Sequence, residues 1–327
     1  MFRTRVSPRR LAASASRPPS RPYATYHILL PRVRLLAPAL WSFAACGTIY
    51  LGCAAYEVYQ DVRGAGAGAS SWTRQKSPQT FQELERLSES ERARRMARRA
   101  RARERPEMER PEARLTDARK LALGTMCLTA GIHLVSLVEP RVRLHITHVP
   151  MLSRHYTLLT SVFGHGGWVH LGMNLWAMNI LLPYAGSTPV FNDSAPHLAA
   201  FYASAGVLSS LAHHATARWA PRFNAPALGA SGALFALFGV FGVSSPDARA
   251  GILFLPGSVS MADAIAYLAI FEAVGVCIRY PLLRFAHGAH LSGLALGVAY
   301  AKYGGDKKIW RPGRRVAFSV MRSLRLL

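Results

Sequence analysis

Between residue 119 and about residue 304 the chain passes through six apolar stretches, each close to the length that crosses a bilayer core. They run roughly over 120–138, 166–187, 196–215, 227–244, 262–279 and 285–303. The breaks between them carry proline and charge, as at Glu139-Pro140, Arg218 to Pro226 and Arg279 to Pro281. This repetition constrains the fold most, because lipid offers no partner for backbone amides and each stretch must satisfy its own as a helix. The last four stretches are rich in Gly and Ala, which lets helices approach closely and predicts a packed bundle rather than separate anchors. A further run, Leu35 to Tyr56, has no charge in 22 residues and adds one span ahead of the six. The expected fold class is an all-α membrane protein, a six-helix bundle preceded by one additional transmembrane helix.

Charge is distributed unevenly over this framework. Only 17% of residues are charged, yet the net charge is +23 and the mean hydropathy is +0.13. A basic balance of that size suggests nucleic acid, but long charge-free runs interrupt the basic blocks and argue against it. A disordered chain and a disulfide-rich secreted domain are excluded as well. The four cysteines, Cys46, Cys53, Cys127 and Cys277, lie in apolar segments and read as buried free thiols.

Residues 1–23 hold six arginines and no acid among Ser and Ala, the composition of a mitochondrial presequence, with a cut expected after Tyr23. The first transmembrane helix occupies 24–56. Arg32 and Arg34 flank one end and Glu57 and Asp61 the other, which places the N-terminus on the matrix side. Residues 57–118 read as a charged, solvated linker with a flexible joint at Gly64 to Gly68 and no apolar face. Residues 119–305 form the core domain, and 306–327 a basic tail. On a helical wheel Arg311, Arg314, Arg315, Arg322 and Arg325 fall within about a quarter turn, with Val316, Val320, Met321, Leu324 and Leu327 mostly opposite. That pattern suggests a helix on the membrane surface, and both basic segments are candidates for contact with anionic lipid.

Polar groups inside a bilayer are costly, so each one in these spans is a functional candidate. Gly229-Ala230-Ser231-Gly232-Ala233 opens the fourth core span, where free N–H groups and the positive end of a helix dipole supply the parts of an oxyanion site. His290 opens the sixth, beside a small-residue stripe of Ala289, Gly293 and Gly297, and can act as general base to a serine on a facing helix. His170 and Asn174, at i and i+4 on one face of the second span, can both donate toward one point, as a tetrahedral oxyanion requires. Glu272 lies in the fifth span. Its residue type and position leave both structural hydrogen bonding and catalysis open.

Three motifs together, G-H-x(4)-H-x(3)-N, G-A-S-G and A-H-L-S-G-x(3)-G, occur in this order on the second, fourth and sixth core spans. With them, residues 119 to 305 resemble the rhomboid intramembrane serine proteases. The leading extra span, the presequence and the phrase Gly251 to Pro256 point to their mitochondrial, presenilin-associated rhomboid-like branch.

The resemblance implies Ser231 as nucleophile, His290 as base, and His170 and Asn174 beside the Ser231 amide as the oxyanion site. No acidic third member is expected, and no cofactor or metal. The implied activity is cleavage of single-span proteins of the inner mitochondrial membrane, so the implied partners are transmembrane protein substrates and the bilayer. Two departures stand out. Ser153-Arg154-His155-Tyr156 occupies the place of a tryptophan-arginine pair, and Phe285-Ala286 that of an acid before the last histidine pair. A helix-binding pseudoprotease shares the fold but normally lacks the Ser-His pair. An intramembrane metal hydrolase is the other rival, though the chain has no H-E-x-x-H motif.

Overall fold

A computed structural model describes residues 33–67, 78–103, 115–152, 154–219, 225–251, 257–278, 280 and 285–327. The presequence, the first part of the 24–56 segment, Gly68 and most of the Gly251 to Pro256 phrase lie outside the described residues. Among them are ten α-helices: α1 Leu36–Ala67, α2 Phe81–Arg103, α3 Asp117–Val138, α4 Thr157–Thr160, α5 Trp168–Gly186, α6 Ala195–Trp219, α7 Ser231–Ser244, α8 Met261–Ile278, α9 His287–Lys302 and α10 Arg311–Ser323. A two-stranded antiparallel ribbon, Arg249–Gly251 with Ser258–Ser260, connects α7 to α8.

The protein is an all-α membrane protein. Of the described helices, α1, α3 and α8 are long and apolar enough to cross a membrane by themselves. These three lie at the periphery and expose large apolar side chains such as Phe43, Leu128 and Ile270. At the centre, α7 has only 14 residues, eight of them buried. A helix sheathed by protein need not span the bilayer by its own length, and α7 is apolar but short.

α7 and α9 run in parallel and pack closest. A methyl group on Gly293 would collide with the Gly232 carbonyl oxygen, and one on Gly297 with that of Ala236. One on Gly239 would lie 2.7 Å from the Leu294 carbonyl oxygen. The stripe of Gly293 and Gly297 is therefore the close-packing face that their spacing predicts. α6 runs antiparallel to both, with Ser209 against Gly232 and Thr216 against Gly288. A core of Met178, Leu182, Phe201, Leu237 and Val240 binds α5, α6 and α7 together.

The two ends of the bundle differ. At one end lie Val33 and Arg34, the end of α6, the segments 139–152 and 154–167, and the starts of α5, α7 and α9. Arg218 Nη1 donates to the Val33 carbonyl at 3.1 Å, and His214 Nε2 to that of Arg34 at 2.8 Å. His214 Nδ1 then accepts from His148 Nε2 at 3.0 Å. Burial, with His214 close by, pushes His148 down to about 3, so this link joins two neutral imidazoles. At the other end α1 meets α2 and α10. Arg314, 4% exposed, lies 2.9 Å from Glu57 through Nε and 2.5 Å from Asp61 through Nη2, while Arg92 approaches Glu57 at 3.0 Å.

Several expectations need correction at this second end. Within the expected solvated linker, residues 81–92 are docked, whereas 93–97 are exposed. Phe81 and Leu84 are buried, and Glu85 and Glu89 bind Arg311 at 2.8 and 2.9 Å. The docking face begins at Phe81, upstream of the densest Arg-Glu repeat, and combines the buried Phe81 and Leu84 with paired charges. The tail helix is also turned differently. It buries Arg314, Ala317 and Phe318 against α1 and α2, and leaves Val316, Val320 and Leu324 exposed. The four cysteines are free as expected, but Cys127 and Cys277 are exposed on the outer faces of α3 and α8.

Replacing Arg314 with Ala would leave the two carboxylates Glu57 and Asp61 facing Arg92, with the Ser194 hydroxyl also on Glu57. Loss of one partner from a buried ion pair costs about 3–5 kcal/mol. The expected result is a lower melting temperature in detergent and new protease cleavage within 311–323. An Arg314→Ala protein with unchanged melting and an uncut tail would contradict the anchoring role.

Candidate active site

Ser231 is the first residue of α7, and His290 stands one turn into α9. The close α7–α9 crossing brings Ser231 Oγ to 2.7 Å from His290 Nε2. Phe235, one turn after Ser231 on the same face, stacks on the His290 ring at 4.4 Å with an interplanar angle of 8°. The imidazole is thereby fixed in plane as well as in position. Because α7 starts at Ser231, the amides of its first turn have no partner within the helix and carry the positive end of its dipole.

The approach to Ser231 is held from both sides. Ala227 pairs with His148 through two backbone hydrogen bonds of 2.9 Å, and the Gly229 amide donates to the Ser161 carbonyl at 2.9 Å. Gly229 has φ +130°, a conformation that disfavours any side chain. A methyl group there would lie 2.9 Å from Cε1 and Nε2 of His170 and 3.9 Å from Ser231 Oγ. Gly229 thus lets the His170 ring reach the neighbourhood of the serine. The Gly166 amide points at His170 Nδ1 over 3.5 Å, which suits the tautomer with Nδ1 as acceptor and Nε2–H as donor on the Gly229 side. Asn174 Nδ2 donates to the His170 carbonyl at 2.8 Å, so one of its amide hydrogens is committed there. Both residues line the cavity that holds Ser231.

That cavity has a volume of about 750 Å³. α5 supplies one wall, through Met173 and Trp176, and α8 the other, through Leu268 and Phe271; Ser231 and His290 sit between them. Among the described residues no group of three or more His, Cys, Asp and Glu side chains has the geometry of a metal site.

The resemblance implies no acidic third member, yet a carboxylate lies beside His290. Glu272, fully buried on α8, places Oε1 3.0 Å from His290 Nδ1 and Oε2 2.5 Å from His287 Nδ1. Gly275, one turn further along α8, makes this possible, since a methyl group there would occupy the space of the His287 ring. Available signals were a carboxylate inside an apolar span and two histidines three residues apart on the next one. Neither fixes the rotation of α8 that brings them together.

Residues 152–307 match the Rhomboid domain family. Over 156 residues the chain is 28% identical to the mitochondrial presenilin-associated rhomboid-like protein of Rattus norvegicus, covering 47% of this chain and 39% of that one. The Homo sapiens protein of the same description is 28% identical over 160 residues, 47% of this chain and 39% of its own. The mitochondrial presenilin-associated rhomboid-like protein A of Danio rerio is 29% identical over 160 residues, 49% of this chain and 40% of that one. The chain thus spans about two fifths of the length of the curated relatives it matches.

Gly229→Ala tests the local geometry directly. A side chain at φ +130° and the contact with His170 together predict a loss on the order of 1–3 kcal/mol, read as a lower melting temperature in detergent. Unchanged melting would mean that the Gly229–His170 approach is looser than described.

Proposed function

We propose that this chain is an intramembrane serine protease of the rhomboid type using Ser231 and His290, a reading supported by the match of residues 152–307 to the Rhomboid domain family. The observation that carries this reading is the 2.7 Å contact between Ser231 Oγ and His290 Nε2 at the wall of a cavity large enough for a peptide segment. A substrate helix that unwinds between α5 and α8 presents its peptide bond to Ser231. The Oγ–carbon bond forms as the hydroxyl proton passes to His290 Nε2. His170 Nε2–H, a hydrogen of the Asn174 amide and the free amides of α7 receive the oxyanion. The carbon–nitrogen bond then breaks, with the His290 proton going to the leaving nitrogen. Water attacks the acyl ester and gives a proton to His290; the Oγ–carbon bond then breaks, His290 returns the proton to Ser231 Oγ, and the carboxylic acid product leaves.

The mitochondrial relatives and the membrane-crossing helices support a mitochondrial membrane protein. Within that frame the inner membrane is the proposed site, with α1 ahead of six core helices. Ser231 lies at the same end of the bundle as the start of α1, so the two open to the same side. Single-span inner-membrane proteins are the proposed substrates. The exposed Val316, Val320 and Leu324 of α10, next to exposed Arg315 and Arg322, suit the interface of an anionic bilayer.

A fluorophosphonate probe applied to the detergent-purified protein tests the assignment, with the labelled residue identified by peptide mass spectrometry. Labelling is expected at Ser231, lost in Ser231→Ala, reduced steeply in His290→Ala, and indifferent to Ser292→Ala and to a zinc chelator. Ser292 donates within its own helix to the Ala289 carbonyl and serves as the internal control. Absence of labelling in the wild type would favour the helix-binding pseudoprotease, and labelling elsewhere would remove Ser231 from the mechanism.

A further inference from the structure

We propose that Glu272 is a positioning residue for His290, so that the site works as a Ser231–His290–Glu272 triad with His287 as the second partner of the carboxylate. This deepens the protease reading and rests on it. Three helices contribute: Ser231 on α7, His290 on α9, Glu272 on α8. Both imidazoles point Nδ1 at the carboxylate, at 3.0 Å for His290 and 2.5 Å for His287. Since a carboxylate only accepts, each Nδ1 must carry its hydrogen. For His290 that leaves Nε2 as the acceptor, the state that takes the serine proton. As His290 becomes an imidazolium, the carboxylate is already in contact with it.

The pocket is built for this arrangement. Glu272 is 1% exposed, His287 4% and His290 7%. A group that merely filled space between α8 and α9 would have no need of a carboxylate in a site this dry, where an unpaired charge is costly. Gly275 opens the room for the His287 ring, and Phe271 and Tyr280 hold its edge at 5.8 and 5.3 Å. His287 donates to the second oxygen, which stops the carboxyl group from rotating away from His290. Because Glu272 rides on α8, the base is oriented only while α8 is seated against α9.

The test compares Glu272→Gln with wild type in detergent, using fluorophosphonate labelling of Ser231 and steady-state cleavage of one transmembrane substrate. An amide offers one acceptor and one donor where two Nδ1–H groups converge, so one histidine must change tautomer. The proposal expects kcat and the labelling rate to fall at least about a hundredfold, with KM within about threefold and the melting temperature unchanged. A merely structural glutamate would instead lower melting, or shift KM, at unaltered kcat per folded molecule. Glu272→Asp, which keeps both acceptors, should recover most of the kcat lost in Glu272→Gln. If Glu272→Gln alone lowers melting, the pair Glu272→Gln with His287→Asn decides. There the new amide donates to the new asparagine oxygen and still accepts from His290, which restores the hydrogen bonds without the charge. The proposal expects this pair to fold as wild type and to remain at least tenfold down in kcat, for want of a counter-charge to the imidazolium. A kcat within threefold of wild type in a normally melting Glu272→Gln, or in the double variant, overturns the triad. Failure of the protease reading is distinct: the wild type itself would then neither label nor cleave.

Discussion

The approach of α7 to α9 through bare backbone sets the position of everything that follows. Gly232, Ala236 and Gly239 face Gly293, Gly297 and Val298, and the contacts run from carbonyl oxygen to glycine carbon with no side chain between. Helices in lipid gain little from apolar burial against one another, and close packing of small residues is what holds them. This crossing is therefore both the main source of cohesion in the centre of the bundle and the ruler that sets Ser231 against His290. A helix separation wider by one methyl group would leave the two side chains in one cavity but out of hydrogen-bond reach.

Around that centre several polar residues form chains of contacts. His148 links the segment before α4 to His214 and onward to the Arg34 carbonyl. His197 stacks on Trp310 at 4.5 Å and bonds the Tyr300 hydroxyl at 2.8 Å. Arg314, Glu57, Asp61 and Arg92 close the end opposite the serine. In a low-dielectric interior such chains are stable only when their members meet partners, so each fixes a helix against its neighbours in one register. The chain through Ser231, His290, Glu272 and His287 differs because it lies along the cavity.

The helical spans were legible because lipid leaves a backbone few alternatives, and the small-residue stripe of α9 because spacing alone reports a helix face. The pairing of Ser231 with His290 rested on a resemblance of motifs, and the atoms now stand 2.7 Å apart. Glu272 was visible as an expensive carboxylate but its partner was not, because the rotation of α8 depends on Gly275 accepting the His287 ring, a contact between two helices. The docking face of the tail was not legible for a related reason. A helical wheel ranks faces by hydropathy, and α10 docks through Arg314 because Glu57 and Asp61 await it on α1. No property of residues 311–323 alone reports that acidic partner. The first half of α2 follows the same rule, since Glu85 and Glu89 are matched to Arg311 on α10 and Arg92 to Glu57 on α1.

The central claim is that a serine in the centre of a membrane bundle cleaves peptide bonds. Reconstituting the purified wild-type and Ser231→Ala proteins in liposomes, each with a single-span substrate whose fragments are mapped by mass spectrometry, measures this most directly. The account predicts one cut within or at the edge of the substrate's transmembrane segment by the wild type and none by Ser231→Ala. Equal cleavage by both proteins would contradict it.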